Sequence, residues 1–205
     1  MGAWEYVAWK LAKSAGIRVP EARVEKVTGR HHTFLSKRFD RIENERVHFA
    51  SAMTMTGHYE SGIRDQSPSY LELAEFIQFQ GAAPEQDLKQ LWRRIVFNIA
   101  ISNMDDHLRN HGFIIDKEGW RLSPAYDMNP TIDKAGLSLN IDLELNALDF
   151  DLARSVGTYF HLDTKDMDSI INEVQTSVSK WDEVATETGI PTAQRRLMES
   201  AFNIE

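Results

Sequence analysis

Cysteine is missing from this 205-residue chain, which excludes disulfides, thiolate metal sites and thiol nucleophiles. A reducing compartment suits that absence, so a cytoplasmic location is expected. No apolar run approaches the roughly 18 residues a membrane-crossing helix needs. The opening MGAWEYVAWK lacks the form of a signal peptide, and no membrane partner is expected. The 11 glycines are scattered and build no phosphate-cradling loop: neither Walker A nor G-x-G-x-x-G occurs, nor the G-x-S-x-G of a hydrolase elbow. Surplus positive charge is lacking too. The net charge is −8, and residues 141–205, with 13 acidic and 5 basic side chains, hold all of it. A neutral body with an acidic end disfavours a phosphate-backbone binder, so no direct nucleic-acid partner is expected.

What is present suits one globular domain, or two small lobes sharing a core: 42% hydrophobic and 26% charged residues, with no repeat or linker. Trp4, Ala8, Leu11, Ala12 and Ala15 recur at helical spacing, and Gly16 stands where a C-terminal cap belongs. Runs Ala22–Thr28 and Thr33–Phe39 read as a hairpin. The stretch Arg41–Pro68 is aperiodic and reads mainly as loop with one short helix. Helices are predicted over Tyr70–Gln80 and from Pro84 through Ile99. The second of these is apolar on too many sides for a surface position, which makes it central. His111–Ile115 and Trp120–Leu122 flank a turn and form a second hairpin. From about Asp163 onward, two or three helices are expected, over Thr164–Glu187 and Thr192–Phe202. The predicted class is α+β, mostly α-helical, with two short β-hairpins.

Chemistry concentrates between the apolar helix and the second hairpin, in Ser102-Asn103-Met104-Asp105-Asp106-His107-Leu108-Arg109-Asn110. A hairpin with about five residues per strand returns the chain within one or two strand spacings of its start. Asp127, at its exit, should therefore face Asp105, Asp106 and Asn110 at its entrance. Oxygen donors of this kind suit Mg²⁺, which takes few carboxylates and leaves positions for phosphate oxygens. A carboxylate off the metal can orient or deprotonate a hydroxyl. Protein kinases place a metal-binding Asn five positions after the catalytic Asp, and a second metal Asp beyond. Asp105, Asn110 and Asp127 repeat that order across a hairpin. Taken singly, Asp105, Asp106, Asn110 and Asp127 equally suit turns or helix caps, and His107 suits a satisfied core histidine.

Four motifs then occur in one order: Ser36-Lys37-Arg38-Phe39-Asp40-Arg41, Ala50-Ser51-Ala52-Met53-Thr54-Met55-Thr56-Gly57, Asn103 through Asn110, and Leu122-Ser123-Pro124-Ala125-Tyr126-Asp127. Together they resemble the HipA-like serine/threonine kinases, the toxin kinases of toxin–antitoxin systems. The resemblance implies a protein-kinase-like C-lobe using ATP and Mg²⁺ on a protein substrate, with an antitoxin as possible partner. It divides residues 1–205 into a hinge hairpin (22–39), a catalytic loop and metal hairpin (102–130) and C-terminal helices (163–202). Asp105 resembles the catalytic base, and Asn110 and Asp127 the pair that holds Mg²⁺. His107 and Arg109 become supports of the loop or of the transferred phosphate, Arg109 being the better phosphate partner because it is always charged. Lys37 and Phe39 match the hinge that meets adenine, and Tyr126 the aromatic beside it. Glu5 is a candidate for the acid that pairs the nucleotide lysine. Asp106 has no implied role beyond that of a solvated neighbour.

Family members carry a phosphate-covering loop and a phosphate-binding lysine upstream of the matched segment. The resemblance thus implies an N-lobe absent from these 205 residues, and Lys10 and Lys13, on a helix, do not replace a strand lysine. The chain is expected to be the C-terminal catalytic part of a longer kinase or one half of a split kinase whose N-lobe is a separate chain. A catalytically incompetent binding or regulatory module is the alternative from another class, and metal-dependent phosphohydrolysis a minor one. Phosphoryl transfer depends on positioning and electrostatics, so the chain alone should transfer phosphate weakly or not at all.

Overall fold

The computed structural model describes residues 2–27, 29, 31–43, 45–60, 67–133 and 135–204. Helix α1 (Gly2–Ser14) buries Val7, Ala8, Leu11 and Ala12, the face its spacing predicts. It stops at Gly16, whose φ of +77° suits a residue without Cβ. The Ile17 amide bonds back to Ala12 O at 3.0 Å, and the Arg93 guanidinium packs against the glycine. Strands β1 (Ala22–Glu25) and β2 (Thr33–Ser36) pair antiparallel and lie against α1. Both are shorter than predicted, and Thr28 lies outside the described residues. Residues Lys37–Asp40 leave the hairpin outside any strand, held at their ends by the Lys37 amide on Glu21 O at 2.8 Å and by the Val47 amide on Asp40 O at 3.1 Å.

The loop predicted over 41–68 needs correcting where it is described. Strands β3 (Arg41–Ile42) and β4 (Glu45–Arg46) form a minimal hairpin, and β5 (Phe49–Ser51) leads into a one-turn helix, α2 (Ala52–Met55). β5 pairs with β6 (Gly112–Ile115), which pairs with β7 (Trp120–Leu122). The second predicted hairpin is therefore two-thirds of a three-stranded sheet. Three residues cannot display a period of two, and the strand exists through a partner far along the chain. Residues 61–66 of the predicted loop are outside the described part.

Helix α3 (Tyr70–Gln80) begins with a capping box: the Ser69 side chain caps the helix while Glu72 reaches back to the Ser69 amide at 3.1 Å. Helix α4 (Pro84–Ala100) opens on proline, which lacks the N–H that a first turn leaves unpaired. From Leu91 to Ala100 every residue is buried, so α4 is the axis of the molecule. Trp92, Phe97 and Ile95 are fully enclosed, each worth about 1.5–3 kcal/mol of burial. Its polar side chains Asp87, Arg93, Arg94 and Asn98 are also buried; Asp87 holds Arg121 Nε and the Leu122 amide, both at 2.9 Å, and Arg18.

The C-terminal part departs from prediction at two points. Helix α5 (Phe150–Ser155) and a 3₁₀ turn (Gly157–Phe160) precede the predicted helical region. The helix expected over 164–187 is two: α6 (Thr164–Val178) and α7 (Trp181–Glu187). The break at Ser179–Lys180 lets Trp181 stack on Phe202 at 4.5 Å and meet Trp4 of α1. Helix α8 (Thr192–Met198) and a 3₁₀ turn close the described chain. No helix among the described residues is long and apolar enough to cross a membrane.

Candidate functional site

α4 delivers the polar loop. After Ile101 the backbone turns through Ser102 at φ +49°, and Ser102 O accepts from Thr131 N and Oγ1 at 3.2 and 2.8 Å. The chain then runs through residues 103–110 into β6. Burial alternates along it: Asn103 and Asp106 point inward, Asp105 is exposed, Leu108 enters the core and Arg109 is exposed.

Asn110 is buried, and its Nδ2 lies 3.3 Å from Asp105 O, Asp127 O and Asp127 Oδ2. The hairpin thus returns Asp127 to the loop, as its length requires. Asp127 sits at φ +58°, in the left-handed region that aspartate enters more readily than most residues with a Cβ. Asn129 Nδ2 donates to Asp127 Oδ1 at 3.0 Å. Asp105 joins the group through its carbonyl, while its carboxylate faces solvent.

Beside these residues is a cavity of about 390 Å³ lined by Ser36 through Asp40, Phe49, Arg109 and Tyr126. Lys37, Phe39, Arg109 and Tyr126 thus gather from three motifs at one opening. The Phe39 and Tyr126 rings lie 5.7 Å apart, and Phe49 lies 5.8 Å from Phe39. Tyr126 OH donates to Arg109 O at 2.7 Å, and burial pushes its hydroxyl well above the ordinary tyrosine range, so it remains a donor. Arg38 and Arg41 clasp Asp40, and the Arg38 hydrogen bond leads in holding that carboxyl down at about 2. Arg109 pairs with Glu60, and its Nη2 lies 3.4 Å from His107 Nε2.

A smaller cavity of about 40 Å³ adjoins, sharing Ser36 and Tyr126 and bringing Glu5 to Asp127. Burial, then the Asp127 charge, raises the Glu5 carboxyl above its ordinary value.

Two expectations fail. Of Asp105, Asp106 and Asn110, only Asn110 meets the Asp127 side chain, because Asp105 turns its carbonyl rather than its carboxylate to the group. Asp106 is not a solvated neighbour: it is 3% exposed, and its carboxylate accepts from Tyr70 OH, Asn98 Nδ2 at 2.8 Å and His111 Nε2 at 2.7 Å. All three donors come from segments whose packing the sequence does not spell out, so Asp105 and Asp106 look interchangeable there. Phe49 and Glu60 were also missed, both inside the stretch read as loop.

The family model of the HipA-like C-terminal domain matches residues 1–181. Among curated proteins, Y4mE of Sinorhizobium fredii, named as a candidate kinase, is 25% identical over 146 residues, covering 67% of this chain and 34% of that protein. A Haemophilus influenzae protein named in the same way is 28% identical over 134 residues, or 60% of this chain and 39% of its own length. The chain therefore spans little more than a third of these relatives. Among solved structures, HipA of Shewanella oneidensis MR-1, from a toxin–antitoxin complex with HipB and operator DNA, superposes with a TM-score of 0.76 at 18% identity, over 97% of this chain and 52% of that one. The Helicobacter pylori proinflammatory kinase CtkA gives 0.55 at 14% identity, over 92% and 87%. The fold is that of HipA and CtkA, and the match over residues 1–181 places this chain in the family of HipA-like C-terminal domains.

Proposed function

We propose that this chain is the C-terminal catalytic part of a Mg-ATP-dependent protein serine/threonine kinase. The observation that carries the reading is the meeting of Asn110 with Asp127 beside an aromatic-lined cavity. Family membership and the kinase names of its relatives agree with it.

Asp127 and Asn110 offer hard oxygen donors of the kind Mg²⁺ takes. Donation to a cation by Asn110 requires its amide turned so that Oδ1 faces Asp127. The three Nδ2 contacts are all 3.3 Å, and the turned Oδ1 would face the same three oxygens, an arrangement that a cation between them would stabilise. Bound there, Mg²⁺ would screen the negative charge of the ATP phosphates. Phe39, Phe49 and Tyr126 offer ring faces to adenine, and the backbone of Arg38 and Phe39 offers polar groups to its edge. Asp105 projects into solvent, where a protein hydroxyl can reach it.

In the transfer, the hydroxyl oxygen bonds to the γ-phosphorus, the bond between that phosphorus and the bridging oxygen breaks, and ADP leaves. The hydroxyl proton passes to the Asp105 carboxylate. Arg109 stands at the cavity to offset charge on the transferred group, with His107 beside it. Glu5, drawn up to Asp127, suits a lysine ammonium supplied from outside these residues. A toxin role, with an antitoxin as partner, is proposed by likeness to the Shewanella HipA complex.

Transfer of radioactive γ-phosphate to protein, measured with the full gene product, tests this. Asp105→Ala should abolish transfer and leave nucleotide binding intact, whereas Asp127→Ala should lose both. Unchanged transfer in both variants would refute the assignment.

A further inference from the structure

We infer that Asp106 is the positioning residue of the site: its buried carboxylate fixes the loop that presents Asp105 and Asn110 and ties it to the segment that carries Asp127. The inference rests on the kinase reading for its purpose, though not for its geometry.

Five side chains form the device. Asp106 accepts from Tyr70 of α3, Asn98 of α4 and His111 at the start of β6. Asn98 Oδ1 in turn accepts from Asn103 Nδ2 at 3.1 Å, and Asn103 Oδ1 accepts from the Asn129 amide at 3.3 Å. All five are at most 3% exposed. The Tyr70 and His111 rings also meet edge to face at 5.7 Å. The network thus begins on two core helices, passes through the loop at residues 103 and 106, and ends two residues after Asp127.

A carboxylate removed from water is costly unless donors satisfy it, so three converging donors hold Asp106 to one position. Burial and the adjoining Asp106 charge raise the Tyr70 hydroxyl well above its usual range, keeping it protonated as a donor. Asp105 is the neighbouring residue and faces the opposite way. Fixing Asp106 inward therefore fixes Asp105 outward. Asn110 is bound to both sides of the junction, through Asp105 O and Asp127 O. A shift of about 1 Å between such groups costs about a hundredfold in rate, which is a reason to anchor the loop in the core rather than at the surface.

The test is hydrogen exchange on the 205-residue chain with Asp106→Asn, and with Tyr70→Phe, which removes one donor but keeps the charge. Amides of residues 103–111 and 128–131 should exchange about tenfold faster in Asp106→Asn, and less so in Tyr70→Phe, while those of central α4 stay within about twofold. Mn²⁺, titrated with ADP and read by water-proton relaxation, should bind the Asp106→Asn chain about tenfold more weakly. Should Asp106→Asn fail to fold, Tyr70→Phe carries the test alone. Unchanged exchange in the two segments overturns the inference. So does acceleration spread equally over α4, the sign of a merely structural carboxylate. If the unaltered chain ignores Mn²⁺ and ADP, the kinase reading fails, and the exchange data still decide the positioning.

Discussion

Gly112 and Phe49 compete for one space: a Cβ on Gly112 would fall 2.2 Å from Phe49 Cε2. Gly112 opens β6, Ser51 pairs with it, and the displaced ring lines the cavity with Phe39 and Tyr126. Gly112→Ala should therefore push Phe49 into the opening. We expect a loss of about 1–3 kcal/mol in stability, typical of an overpacked contact. Nucleotide binding should weaken as well, and thermal unfolding beside ATP titration would measure the two effects separately.

Asp87 joins three segments. It is 1% exposed and holds Arg18, Arg121 and the Leu122 amide, fastening the start of α4 to β7 and to the connection after α1. Asp87→Ala would leave these donors without their acceptor. The expected cost is about 3 kcal/mol, the low end for a broken buried pair, because both arginines reach solvent. Urea unfolding would read it as a lower midpoint.

Glu5 supplies a pH prediction. Its carboxyl is raised by burial and then by Asp127, so the folded state binds its proton more tightly than the unfolded chain does. The resulting stability is present below the ordinary glutamate range and is lost as pH rises through the raised value. Glu5→Gln removes the charged form and should raise the unfolding temperature at pH 7 to 8, with no gain near pH 4. An equal gain at both pH values would show that charge is not the cause.

Much of this was legible in the sequence. The α4 helix reads as central because apolar residues surround it, and proline marks its start. The meeting of Asn110 with Asp127 follows from the length of one hairpin. Lys37, Phe39 and Tyr126 reach one cavity from motifs that could be matched in order. Illegible were the features that depend on distant partners. β5 is too short to announce itself and exists through pairing with β6. Asp105 and Asp106 are adjacent identical residues, and their opposite orientations are set by donors on α3, α4 and β6. The break between α6 and α7 answers to the packing of Trp181 on Phe202 and Trp4, which helical spacing cannot reveal.

The central claim is that Asp127 and Asn110 hold a divalent ion against ATP. Calorimetric titration of the 205-residue chain with ATP, with and without Mg²⁺, tests it most directly when repeated on Asp127→Ala. The account predicts saturable, Mg²⁺-dependent binding that Asp127→Ala weakens at least about tenfold, some 1.4 kcal/mol. Binding that ignores Mg²⁺, or is unaltered by Asp127→Ala, would contradict it.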